Sequence, residues 1–168
     1  QMVWMSTHAS PEPPAEVAVN ICPWPRNEHA AMAGLKSACY AENLLALARA
    51  ASEACAETLF LNTAGLLCEA ATANVFMVRD GILLTPPPRS GCLPGLTRAR
   101  ILRLAVARDI SCHETDLFPH DLETADELFL SSSVRGVTGV SALCGRPLRV
   151  GPVTTVLRDA WWLEVRRN

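Results

Sequence analysis

Lys36 is the only lysine among the fifteen basic residues of this 168-residue chain, and the other fourteen are arginines. A primary amine can lose its proton when desolvated and attack a carbonyl to form a Schiff base, which a guanidinium cannot do. A coding bias toward arginine explains the count equally well, so Lys36 gains weight only from the residues it can be grouped with. Glu69 stands in Leu67-Cys68-Glu69-Ala70-Ala71-Thr72-Ala73-Asn74, an acid among small and apolar residues. Buried there it needs a cationic or protonated partner; in a hairpin loop it would face water. Gly95-Leu96-Thr97 opens a helical stretch, where unpaired N–H groups and the helix dipole favour an anion such as phosphate. Ser131-Ser132-Ser133-Val134-Arg135-Gly136 offers three hydroxyls after a strand, either a second anion cradle or a plain serine-rich turn. Together, an amine, an isolated acid and two phosphate-friendly loops match what pyridoxal 5'-phosphate requires: partners for its aldehyde and its pyridine nitrogen, and a phosphate cup.

The elements that must position these residues are legible in outline. Val17, Val19 and Ile21 alternate as in a half-buried strand, behind proline-rich punctuation at residues 9–14 and ahead of Pro23 and Pro25. Residues 40–54 carry Ala41, Leu44, Leu45, Ala48 and Ala51 at helical spacing, which puts Lys36 just ahead of a helix. Short apolar runs follow at Thr58 to Asn62 and Leu66 to Cys68. Two more, Val75 to Val78 and Ile82 to Leu84, flank Asp80-Gly81, a hairpin signal. Thr97 is expected to cap a second helix with Ile101, Leu102, Ala105 and Val106 on its apolar stripe. The remainder reads as strand at 110–114, short helix at 120–125, strands at 127–131 and 137–143, and a final helix through Trp161 and Trp162. The order predicts an α+β fold, a mainly antiparallel sheet or pseudo-barrel with three main helices. A dinucleotide-binding doubly wound fold is excluded for want of a glycine-rich phosphate loop after a strand.

Composition bounds the rest. One domain fits 168 residues, and 49% hydrophobic content supports a sizeable core. A net charge of −2 with scattered arginines gives no basic stripe for nucleic acid or an anionic membrane. No apolar run approaches the roughly 20 residues that span a bilayer. The seven cysteines are odd in number and widely spaced, with no CxxC pair. They are expected to be reduced, mostly buried residues of a cytoplasmic protein rather than a disulfide framework or zinc site.

The blocks LKSACYAENLLA, CEAATANVF, LLTPP, GCLPGLTRARIL and ADELFLSSSVRGVTGV resemble, in this order, the class IV aminotransferase family of fold-type IV pyridoxal-phosphate enzymes. That family contains branched-chain aminotransferase, D-amino acid aminotransferase and aminodeoxychorismate lyase. The resemblance implies that Lys36 forms the Schiff base with the cofactor and Glu69 faces the pyridine nitrogen. Leu96 and Thr97 would bind the phosphate, with Ser133 contacting it from the opposite loop. Tyr40 would hydrogen-bond the phenolic oxygen, from an offset to the lysine one residue shorter than in the branched-chain enzymes, and Asn74 would brace the Glu69 loop. The resemblance further implies amino acid and 2-oxo acid substrates, a homodimer, and a smaller N-terminal domain that supplies a phosphate-binding arginine. Residues 1–25 would then be linker and first strand, residues 26–168 the large cofactor-binding domain, with the small domain absent from this chain. Transamination is the first expectation. The Ser133-x-x-Gly136 pattern also resembles the lyases, which release 4-aminobenzoate and pyruvate, and a chain of this extent could alternatively serve as an inactive dimerising or binding module.

Overall fold

Alternation at Val17 and Val19 places both side chains in the core from strand β1 (Glu16–Ile21) in the computed structural model of the protein, which describes residues 5–7 and 12–166. The proline-rich punctuation falls in part on residues 9–11, outside the described residues. Helix α1 (Ala41–Ser52) follows, then strands β2 (Glu57–Leu61), β3 (Leu67–Ala70), β4 (Asn74–Arg79) and β5 (Ile82–Thr85). A 3-10 turn at Pro88–Ser90 leads into α2 (Leu96–Val106), then β6 (Cys112–Glu114), α3 (Pro119–Glu123), β7 (Glu127–Ser132), β8 (Gly136–Leu143), β9 (Arg146–Pro147) and α4 (Pro152–Val165).

The strands form one curled sheet in the order β3-β2-β1-β8-β7-β4-β5-β6, with β9 pairing β8. Five of the eight pairings are antiparallel; β1 runs parallel to both β2 and β8, and β5 parallel to β6. The parallel β1–β2 pair follows from connectivity, since parallel neighbours need a long crossover and α1 supplies it. The β4–β5 hairpin turns at Asp80 and Gly81 with φ of 51° and 75°, the double left-handed turn that an Asp-Gly pair favours.

Strand side chains point alternately to opposite faces, and here both faces of the sheet centre are covered. From β4 and β7, Val75, Met77, Leu128 and Leu130 enter one core with Leu117 and Leu122, which come from α3 and the segment before it. Phe76, Val78 and Phe129 enter the other, under Ile101 and Leu104 of α2 and Leu157 and Trp161 of α4. The rings of Phe76 and Phe129 stack with centroids 4.8 Å apart. Double coverage explains why β4 and β7 are continuous apolar runs instead of alternating ones.

Two helix faces differ from expectation. α1 buries Asn43, Ala46 and Ala50, while Leu44 and Leu45 are 59% and 65% exposed. Small residues let α1 lie close to the sheet, where Ala46 packs with Phe60 and Cys68. In α2 the buried stripe is Ile101, Leu104 and Ala105, with Val106 exposed. Thr97 is not the cap: Gly95 is the N-cap, and Thr97 sits buried in the first turn with its hydroxyl turned toward Ser133. The cysteines also divide, with Cys22, Cys68 and Cys92 buried, Cys39 and Cys144 exposed, Cys55 and Cys112 between, and all seven free.

The start of α4 is capped from a distance. Buried Glu127, the first residue of β7, accepts the N–H groups of Val153 at 3.1 Å and Thr154 at 2.7 Å. A helix N-terminus leaves such donors without intrahelical partners, and its dipole favours a carboxylate there.

Candidate active site

Lys36, Tyr40, Glu69, Asn74, Leu96, Thr97 and Ser133 all line one cavity of about 820 Å³. They come from the segment before α1, from β3, β4 and α2, and from the β7–β8 turn. The sheet thus brings together residues separated by nearly a hundred positions.

Glu69 is the best-buried charge in this cavity, its side chain 12% exposed. Its Oε2 accepts the Leu93 N–H at 2.9 Å, and its Oε1 lies 3.8 Å from Arg26 Nε. Burial pushes its carboxyl above the ordinary glutamate range, while the Leu93 N–H and the charges of Arg26 and Lys36 pull it back. Arg26 lies with its guanidinium 4.2 Å from the centroid of the Phe60 ring, a partly buried cation held over an aromatic face. Sequence reasoning gave Arg26 no role. The signal that could have found it was the requirement that an acid at position 69 have a cationic partner.

Asn74 opens β4, and its side-chain N–H donates to the Leu93 carbonyl at 2.8 Å. The Leu93 residue is therefore held at both ends, its N–H by Glu69 and its carbonyl by Asn74. Two residues on, Gly95 caps α2, and a Cβ there would sit 2.2 Å from Asn74 Oδ1. Gly95→Ala is therefore expected to swing the Asn74 amide off Leu93 and loosen the start of α2. The lost bond costs about 1 kcal/mol, and affinity for a phosphate-bearing ligand should fall. Thermal unfolding and phosphate titration check both.

The first turn of α2 leaves the N–H groups of Leu96, Thr97 and Arg98 without helical acceptors. The Thr97 and Ser133 hydroxyls face each other at 3.4 Å beside that turn. The Leu96 side chain is 85% exposed, so its contribution is its backbone N–H. Ser131, also lining the cavity, is 2% exposed and its Oγ has no hydrogen-bond partner among the described residues. On the other side Lys36 is exposed, its ammonium 5.9 Å from the centre of the Tyr40 ring. The Tyr40 hydroxyl donates to the Ala71 carbonyl at 3.0 Å, and the buried Asn43 side chain, which sequence reasoning missed, donates to the same oxygen at 2.5 Å. Burial and the nearby carboxylates of Glu69 and Glu57 raise the Tyr40 phenol above its ordinary value.

A curled mixed sheet with an amine, a largely buried carboxylate and a hydroxyl-lined helix N-terminus in one cavity defines an α+β domain whose cavity chemistry suits a small anionic ligand. Residues 1–143 match the amino-transferase class IV family, and the chain belongs to it. It is 36% identical over 126 residues to the branched-chain-amino-acid aminotransferase of Escherichia coli strain K12, covering 73% of this chain and 41% of that protein. To the probable branched-chain-amino-acid aminotransferase of Thermotoga maritima it is 35% identical over 118 residues, 68% of this chain and 43% of that protein. An aminotransferase from Brucella abortus, solved bound to pyridoxal phosphate, superposes with a TM-score of 0.88 at 30% identity, covering 95% of this chain and 58% of that one. A putative 4-amino-4-deoxychorismate lyase from Legionella pneumophila gives 0.88 at 28% identity, over 96% and 59%. The chain therefore spans less than half the length of these curated relatives. No helix among the described residues is long and apolar enough to cross a membrane.

Proposed function

We propose that the intact protein is a pyridoxal-phosphate-dependent class IV aminotransferase that moves the amine of an amino acid to a 2-oxo acid. The observation that carries this reading is the convergence of Lys36, Glu69, Thr97 and Ser133 on one cavity. The donor set fits the cofactor: an amine for its aldehyde, a carboxylate for its ring nitrogen, and hydroxyls with free helix amides for its phosphate. Ser131, buried with an unpartnered hydroxyl in the same cavity, is a further donor in want of an acceptor.

When bound, pyridoxal phosphate supplies the aldehyde and an electron-accepting ring. Lys36 would serve twice, as the amine that holds the aldehyde and as the base whose Nζ takes and returns the substrate proton. Glu69 holds a protonated ring nitrogen, and Asn74 braces the loop that orients Glu69. Leu96 and Thr97 donate backbone N–H groups to the phosphate, and the Thr97 and Ser133 hydroxyls close around it. Tyr40, whose hydroxyl donates to the Ala71 carbonyl, would be the hydrogen-bond partner of the phenolic oxygen. A smaller preceding domain that completes the pocket, a homodimeric assembly and a cytoplasmic location belong to the same reading, the last supported by seven free cysteines.

A second reading, elimination of pyruvate from aminodeoxychorismate, is favoured by the Legionella relative's equal superposition and by the Ser133-x-x-Gly136 turn. The intact protein with pyridoxal phosphate should be offered L-leucine, D-alanine and aminodeoxychorismate in parallel. Formation of a 2-oxo acid only when an acceptor oxo acid is present supports transamination. Appearance of 4-aminobenzoate without an acceptor replaces it with the lyase. No turnover of any substrate overturns both.

A further inference from the structure

Glu57, the first residue of β2, is a fully buried carboxylate, 0% exposed, and lies behind the cavity-lining residues Thr72 and Arg135. It accepts the Thr72 N–H at 3.3 Å and the Thr72 hydroxyl, and it lies 3.1 Å from Arg135 Nη2. The same Nη2 donates to Thr72 Oγ1 at 3.2 Å. Arg135 is thereby pinned by one corner of its guanidinium. Among the described residues its Nε and Nη1 have no protein partner, and its side chain is 27% exposed and lines the cavity. A guanidinium fixed by a buried acid with its other edge open is a preorganised fork for a second carboxylate.

The other cations of the cavity are committed elsewhere. Arg26 is paired with Glu69 at 3.8 Å and held over the Phe60 ring, with its Nε and Nη2 buried and without a hydrogen-bond partner among the described residues. Lys36 is the amine. We infer that Arg135 binds the carboxylate shared by the amino acid and 2-oxo acid substrates, selecting them over plain amines. The inference rests on the reading that such substrates enter this pocket, and it adds the residue that recognises them. The buried Glu57 and Thr72 act as the support that aims the fork.

Removing Arg135 alone would strand Glu57 without its cation, and such a variant could fail to fold. The test therefore uses the intact protein, wild type beside the paired substitution Glu57→Gln/Arg135→Gln, with Arg135→Lys as the charge-keeping variant. Calorimetry measures pyruvate and pyridoxal phosphate binding separately, and steady-state assays compare an amino acid with a carboxylate-free amine such as 1-phenylethylamine. The paired variant is expected to weaken pyruvate binding and raise KM for the amino acid by about 10- to 100-fold, the effect of losing a charge-assisted hydrogen-bond pair. Its cofactor affinity and its use of the plain amine should stay within about twofold, and Arg135→Lys should fall between. Unchanged pyruvate affinity, or equal loss for pyruvate and cofactor, would overturn the inference and leave Arg135 as a clamp on the β7–β8 turn. If pyruvate binding depends on Arg135 while wild type transfers no amine, the carboxylate site stands and the aminotransferase reading fails. Wild type that binds no pyruvate sinks the inference itself.

Discussion

Turnover of the intact protein is expected to fall by several orders of magnitude when Glu69 is replaced by alanine, with the fold retained. Holding a charged ring nitrogen is an electrostatic task in a partly dry site, where a fixed carboxylate is worth far more than in water. Glu69 is suited to it because Leu93 and Arg26 hold its two oxygens in place at 2.9 Å and 3.8 Å. Measured turnover within about tenfold of wild type would remove Glu69 from this role. The same residue gives a signature independent of activity. Its pKa is raised in the native state by burial, so between its unfolded and folded values the native state holds a proton that the unfolded chain has released. Without cofactor, its contribution is therefore fully present below the unfolded value and lost as pH rises through the folded one. Glu69→Gln should flatten that decline, which denaturant unfolding from acid to neutral pH would reveal.

Lys36→Ala is expected to abolish amine transfer altogether and to remove the visible absorbance of a lysine-linked cofactor. Within these 168 residues no other side chain carries a primary amine. Pyridoxal phosphate should still bind, held by Thr97, Ser133 and the α2 amides, and added methylamine should restore a fraction of turnover by supplying the missing base. A spectrum identical to wild type would place the Schiff base on some other amine and undo the assignment of Lys36.

Local chemistry made much of this protein legible before its structure. Asp80-Gly81 specified the β4–β5 hairpin because both positions need φ above zero, a demand satisfied within two residues. All seven residues singled out as site candidates line one cavity; the lone amine, the isolated acid and the two loops were legible from residue chemistry, whereas Tyr40 and Asn74 entered only through the family resemblance. What depended on distant partners stayed hidden. Alternation along β1 reveals which residues are buried but not that both neighbours run parallel to it. Leu44 and Leu45 outweigh Ala46 and Ala50 in any apolar stripe, yet the close approach of α1 to the sheet selects the smaller pair. The need of Glu69 for a cation was legible, but not that Arg26 supplies it, because the two come from separate segments that only the sheet brings together. Glu127 looks like one more strand residue until α4 arrives at its carboxylate.

The doubly held Leu93 residue makes one short stretch of backbone a gauge. On the proposed reading Glu69 would meet one end of the ligand and the first turn of α2 the other, and only Pro94 and Gly95 separate Leu93 from that turn. The span between the two contacts is thus set by covalent geometry, not by the slack of two independent loops. A ring without its phosphate, or a phosphate without its ring, would engage one end of the gauge and leave the other unread.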